Sequence, residues 1–293
     1  MYPRPVAVGN RSYENPSKLI AMIRPPAVAG QFYPADAGKV EAELDRVIKP
    51  AAELRPAIGI VVPHAGWMYS GATAGRVYSA VKIPDHVIMV GPNHHGVGSS
   101  YALFDAGKWQ TPVGDVPVDE PLAAELLANC DLLAKDPRAH SAEHSLEVQM
   151  PMLRRMNPNV RVVPLLIGGG WPESGGRSML RNIGDAIAAT VREYSQPVLL
   201  LASTDLNHYA DQETSHVKDK LVLDAVLKLD EDALMDRVRD AEVSMCGVAP
   251  TYIVIHAAKK LGAKRGVLLD YRTSGDVSGD FSAVVGYGGV VIA

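Results

Sequence analysis

Three apolar runs in this 293-residue chain each end in side chains that can bind a metal or move a proton. Ile58–Pro63 runs into His64-Ala65-Gly66, and His86–Gly91 runs into Pro92-Asn93-His94-His95-Gly96. Pro197–Ala202 runs into Ser203-Thr204-Asp205-Leu206-Asn207-His208. Apolar runs of this length, bounded by Gly and Pro, read as buried strands. In open α/β sheets, ligands sit beyond the carboxyl ends of the strands. If these three strands are parallel neighbours, their loops converge on one pocket. Imidazole suits iron, copper and zinc, and two histidines plus a carboxylate on one face form a non-haem Fe(II) arrangement with open positions. His64 and His94 supply the two histidines, and Asp205 or a distant residue supplies the third ligand. Neighbouring side chains diverge, so of the pair His94-His95 only one is a ligand, and His95 is left to line the pocket. His208, three residues beyond Asp205, is placed to act as an acid/base group, with Asp205 orienting it.

Two further segments carry polar groups of the same kind. Ala142-Glu143-His144-Ser145-Leu146-Glu147 reads as the start of a helix, in which His144 and Glu147 are i, i+3 neighbours that can both line a pocket. Cys246 stands just before a helix, a position expected to lower a thiol's pKa and ease thiolate ligation. The bland readings are a satisfied loop for His208, a solvated helix face for His144 and Glu147, and a small buried apolar residue for Cys246. Cys130 is assigned that last role at the end of a helix. His86, His140, His216 and His256 are read as structural or surface residues. The sequence has no zinc-finger spacing, HExxH, P-loop or GxSxG.

These groups must be positioned by a layered α/β fold, because apolar runs alternate with amphipathic stretches. A helix is expected over Ala72–Val81, capped by Ser70, and others over Asp119–Asn129 and Glu143–Met156, the last interrupted or bounded by Pro151. Val160–Ile167 reads as a strand whose Pro164 marks an edge or a bulge. Helices are expected over Arg177–Tyr194, Thr214–Leu229, Glu231–Asp240 and Pro250–Leu261, and strands over Gly266–Tyr271 and Ser282–Ile292. Residues 1–23 read as a loose extension, within which Met22 is an alternative start, ahead of one domain over residues 24–293. The composition, 47% hydrophobic and 21% charged, is that of a globular chain long enough to fold without a structural metal. A net charge of −4 with no basic block argues against nucleic acid or an anionic membrane as partner. No apolar run approaches the ~20 residues of a membrane span. Two distant cysteines suit a reducing, cytoplasmic location.

The motifs together resemble the Memo family. The resemblance rests on Ala27-Val28-Ala29-Gly30-Gln31-Phe32-Tyr33-Pro34, Pro63-His64-Ala65-Gly66-Trp67-Met68-Tyr69-Ser70-Gly71, Gly91-Pro92-Asn93-His94-His95, Glu143-His144-Ser145-Leu146-Glu147, Ser203-Thr204-Asp205-Leu206-Asn207-His208-Tyr209 and Cys246-Gly247. It covers roughly residues 24–293. Memo proteins are similar in fold to class III extradiol dioxygenases, so the resemblance implies a single-domain layered sheet flanked by helices. It implies metal ligands at His64, His94 and Cys246, with Asp205 and His208 in the pocket and Cys246 in the place of the extradiol enzymes' glutamate. It implies Fe(II), with copper as the alternative, and either a dioxygenase-type oxidoreductase or a non-catalytic metal-binding or partner-docking protein in redox homeostasis. The expected ligand is a small molecule or peptide, and a radical-SAM protein and an AMMECR-type domain are the functional partners that the resemblance suggests.

Overall fold

The computed structural model describes residues 22–168 and 176–293. Of the expected extension, residues 1–21 lie outside the described residues, and Ile23 already pairs with Lys108. In chain order the elements are β1 (Ile23–Arg24), α1 (Ala37–Val47), β2 (Gly59–Val62), α2 (Trp67–Tyr78), β3 (His86–Pro92), β4 (Tyr101–Leu103), β5 (Lys108–Trp109), β6 (Val116–Pro117), α3 (Glu120–Ala128) and β7 (Ala134–Lys135). Then come α4 (Met150–Met156), β8 (Arg161–Ile167), α5 (Gly176–Glu193), β9 (Val198–Ser203), β10 (His208–Ala210), α6 (Gln212–Leu227), α7 (Glu231–Asp240), α8 (Val248–Lys260), β11 (Gly266–Thr273), α9 (Gly275–Ser278) and β12 (Val284–Ile292).

Among the described residues, nine strands form one sheet in the order β10-β12-β2-β9-β3-β8-β4-β7, with β11 also on β12, and β1, β5 and β6 form a small second sheet. The central strands β2, β9, β3 and β8 are mutually parallel. Their apolar runs are continuous because both faces are covered, as a parallel sheet requires. Alternation then sorts the side chains. Val61, Ile88, Val90, Leu200 and Ala202 face one core, built with α3, α5, α6, α7 and α8. Ile60, Val62, Val87, Met89, Leu199 and Leu201 face the other, built with α1, α2 and α4. The chain is a mixed α/β layered sheet flanked by helices. Among the described residues, no helix is long and apolar enough to cross a membrane.

Three local expectations need correction. Helix α2 starts at Trp67 with Gly66 in the capping position, and Ser70 donates to the Ala65 carbonyl at 2.8 Å instead of capping. The stretch expected as a helix from Glu143 is non-helical until a 3₁₀ turn at Glu147–Gln149, after which α4 begins with Pro151 in its first turn. There the ring costs no hydrogen bond. Strand β8 is interior, between β3 and β4. Pro164 is tolerated because its carbonyl, which accepts from Phe104 N at 3.0 Å, and hence its nitrogen, face the side on which β4 stops at Leu103. The N–H that proline lacks falls opposite Phe104, one residue beyond β4, where the ladder ends.

Candidate metal centre

Strands β2, β9 and β3 are adjacent and parallel, so the loops after them leave the same sheet edge. His64 is 1% exposed. Its Nδ1 lies 3.0 Å from Ser203 Oγ, whose own hydrogen goes to the Ser145 carbonyl at 2.7 Å. Ser203 therefore accepts, Nδ1 carries the ring hydrogen, and Nε2 is left as a lone pair. Burial foremost, then the neighbouring His144 and His94, hold His64 well below its ordinary pKa. It is neutral at pH 7, the form in which imidazole binds a metal.

His94 is oriented in the same sense by a different group. Glu143, fully buried, accepts from the His94 amide at 2.7 Å and from its Nδ1 at 2.8 Å. Burial opposes charge on Glu143. Hydrogen bonds from the His94 ring and from the Ser145 and His94 amides outweigh it and keep the carboxyl well below the usual range. An ionised carboxylate on Nδ1–H leaves His94 Nε2 to the pocket, the arrangement that orients metal-bound histidines.

His144 completes the cluster. Its ring stacks on His94 at 4.6 Å between centroids and stands edge-on to His64 at 5.4 Å, while Phe32 packs against it at 4.5 Å. Burial lowers its pKa to about 4. One nitrogen from each of His64, His94 and His144 lies within 4.8 Å of the others. His95, Glu143 and His144 form a second such group, but His95 is exposed and its Nε2 faces the Ala142 carbonyl at 3.1 Å.

Cys246 falls outside the three-imidazole group, with its Sγ 3.2 Å from His64 Nε2 and accepting from the Asp205 amide at 3.2 Å. It precedes α8, but burial and the nearby Asp205 carboxylate push the thiol up, opposite to the lowering expected from a helix N-terminus. Thiolate at this position thus depends on a bound cation. Asp205 Oδ1 accepts from the amides of His64 and Ala65 at 2.8 and 3.3 Å, and Oδ2 is 4.0 Å from His64 Nε2. Burial raises Asp205 to about 6 despite those amides. His208 stands on β10, with Nδ1 against the Ser244 carbonyl at 2.8 Å. Glu147 is occupied elsewhere: it pairs with Arg24 and accepts from the amides of Ala27 and Val28 and from the Tyr33 hydroxyl.

Sequence reasoning missed Glu143, Ser203 and Gln149, which donates to the Pro63 carbonyl at 2.8 Å and so holds the end of β2. Only Glu143 had a signal, its place beside His144. The remaining histidines make their contacts outside the cluster. His86 pairs with Asp119, and His256 bridges Glu231 and Asp185. His140 is fully buried, and His216 stands edge-on to Tyr271.

The loops carrying this cluster are those whose motifs suggested a family. The model of the family described as Memo-like protein matches residues 24–291. The chain belongs to the Memo family. Similar relatives include a MEMO1 family protein of Pyrobaculum arsenaticum, 40% identical over 281 residues, covering 92% of this chain and 98% of that protein. A MEMO1 family protein of Methanopyrus kandleri is 38% identical over 284 residues, covering 92% and 99%. One from Nitrosopumilus maritimus is 37% identical over 279 residues, again covering 92% and 99%. The likeness thus extends over nearly the whole length of these Memo-family relatives, not over one loop cluster.

Proposed function

We propose that this Memo-family chain binds one transition-metal ion at His64 and His94, with Cys246 in the third place, Fe(II) being the first expectation and copper the alternative. The observation that carries the reading is the matched presentation of two Nε2 atoms. Ser203 fixes one and Glu143 the other, the two rings lie 5.2 Å apart between centroids, and the sulfur of Cys246 stands 3.2 Å from His64 on the edge of this group. The donor set fits such an ion, because imidazole suits iron and copper and a thiol favours the softer states of copper. A specific observation favours a second reading, in which His144 is the third ligand: the three imidazoles alone already lie within 4.8 Å.

A bound Fe(II) would supply one-electron chemistry toward O₂, in a reaction related to that of class III extradiol dioxygenases. The chain's own residues would then exclude water, with His64 enclosed, and hold a proton at His208 near the buried Asp205 carboxyl. The alternative is a binding protein that holds copper or iron, or docks a peptide or small molecule, without turnover. The radical-SAM and AMMECR-type partners and the cytoplasmic location belong to the same proposal.

Anaerobic titration of the full chain with Fe(II), and separately with Cu(I), tests it. One ion per chain, lost in His64→Ala, is expected. Weakening in Cys246→Ser assigns the thiol, whereas weakening in His144→Ala with Cys246→Ser unchanged assigns the imidazole. Binding unchanged in His64→Ala overturns the site. Oxygen uptake with a panel of catechols above the His64→Ala background separates an enzyme from a binding protein.

A further inference from the structure

His208 is expected to be oriented by Asp205, of which Oδ1 accepts from the amides of His64 and Ala65. The groups that hold His208 come from another direction. Its Nδ1 lies 2.8 Å from the Ser244 carbonyl oxygen, and its amide donates to Ser244 Oγ at 2.8 Å. A carbonyl oxygen only accepts, so Nδ1 must carry the hydrogen and Nε2 of the neutral ring keeps its lone pair.

Ser244 is itself held from below. Its amide lies 3.3 Å from Asn207 Oδ1, and its hydroxyl lies 3.2 Å from both Asn207 Oδ1 and the His208 carbonyl oxygen. Asn207 is 1% exposed and is fixed at both ends. Its Nδ2 donates to Ser215 Oγ at 3.2 Å, and its amide donates to Asp219 Oδ1 at 2.7 Å. Asp219, fully buried on α6, takes the Tyr271 hydroxyl on its other oxygen at 2.7 Å. Gly286 makes room for that carboxyl, since a Cβ there would meet Asp219 Oδ2 at 1.9 Å. An aspartate at position 207 would have no donor for Ser215, which accounts for an amide there.

The backbone is strained at the same place. Tyr209 has φ +62° and is 82% exposed, and the pairing of β10 with β12 shifts register between His208 and Ala210. A non-glycine residue held in this region needs surroundings that over-determine it, and the bonds from Ser244 to His208 act on the residue just before it.

We propose that Asn207 and Ser244 are positioning residues that fix His208 as its Nδ1–H tautomer, so that Nε2 serves as the proton acceptor of this site, for a ligand that gives up a proton on binding or reaction. This inference deepens the functional reading above and rests on it for the use made of the proton. The tautomer itself is a property of the chain without metal. It also explains why the segment after α7 carries Ser244 and Cys246 two residues apart: one orients the acid/base group, and the other stands at His64.

The test is long-range proton–nitrogen NMR of the full metal-free chain with ¹⁵N-labelled histidine, at a pH where the His208 ring is neutral. His208→Gln assigns the resonances. Wild type is expected to show a protonated Nδ1 and an unprotonated Nε2. Asn207→Ala and Ser244→Ala are expected to move population to the Nε2–H form, and Ser244→Thr, which keeps the hydroxyl, to restore the wild-type pattern. Ser244 is exposed, so its variants report even if Asn207→Ala does not fold. A wild-type His208 protonated on Nε2, or a wild-type pattern retained in both alanine variants, overturns the proposal. The Fe(II) and Cu(I) titrations are run on the same samples. A fixed tautomer without ion binding leaves this inference standing and removes the metal reading, and the reverse result does the opposite.

Discussion

The buried carboxylate of Glu143 receives both the main-chain amide and the ring Nδ1 of His94, so one side chain sets the backbone and the imidazole of the same residue. Glu143→Gln keeps the size of the group but replaces one accepting oxygen with an NH₂ that faces a donor. Loss of a carboxylate behind a metal-bound histidine commonly costs about 10–100-fold in metal affinity. We expect a loss of that size in Fe(II) or Cu(I) affinity, read by competition against a chelator. Unaltered affinity would show that His94 is not a ligand.

Arg24, 3% exposed, donates to the carbonyls of His140 and Glu143, pairs with Glu147 and lies 4.2 Å above the Trp109 ring. It ties the N-terminal strand to the turn that carries Glu143 and His144. Breaking a buried pair from one side typically costs about 3–5 kcal/mol, because it leaves the partner charge uncompensated. Arg24→Met should lose that much in urea unfolding. Arg24→Lys should lose less, since it keeps the charge but not the fork.

Gly247 follows Cys246, and a Cβ on it would lie 2.4 Å from Thr204 Cβ and 2.5 Å from the Ser203 carbonyl oxygen. The loops after β9 and before α8 are in contact only because this residue has no side chain. Gly247→Ala is expected to cost about 1–3 kcal/mol through overpacking. It should also weaken metal binding more than Gly262→Ala, a control where nothing lies within 4 Å although the backbone φ is +101°. Equal metal affinity in the two variants would separate Cys246 from the site.

His256 and Glu231 predict a pH dependence outside the imidazole cluster. Hydrogen bonding to Glu231 foremost, and to Asp185, raises His256 above its ordinary value of 6.5. Its contribution is therefore complete below pH 6.5 and is lost as the pH rises through the raised value. Burial opposes charge on Glu231, but hydrogen bonds from His256 and Lys259 outweigh it and hold the carboxyl at about 2. That contribution is present above pH 4.5 and is lost as the pH falls toward 2. The stability gap between wild type and His256→Ala should thus be widest between pH 4.5 and 6.5. It is expected to be about 1.5–3 kcal/mol there, as for a hydrogen bond to a charged group, and to narrow as the pH rises through the raised His256 value. A gap independent of pH in urea unfolding would refute the assignment.

The parallel core was legible because Ile60, Val62, Met89 and Leu201 lie in unbroken apolar runs that only a doubly covered strand explains. The order of those strands was not legible, since adjacency of β2, β9 and β3 is decided by packing across the whole sheet. The same limit applied to the site. His64, His94, Asp205 and His208 could be nominated from strand ends, but Ser203, Gln149 and Glu143 act through hydrogen bonds to partners 49 to 139 residues away. The turn at Glu143–Leu146 misled because its apolar spacing matches a helix, while Glu143 is pulled inward by His94 and Glu147 by Arg24. Tertiary bonds to two charged residues override local helix periodicity there.

His64 and Cys246 touch although 182 residues separate them. Such a contact closes only after the intervening strands and helices have assembled, since long loops postpone the reward of the contacts they join. An ion captured there would therefore discriminate finished molecules from partly folded ones. It would also act as a clasp between the first and last thirds of the polypeptide, stabilising the completed state by mass action. A backbone nick anywhere between those residues would leave each fragment with only part of the ligand set, so cleavage should release the ion unless the pieces stay associated.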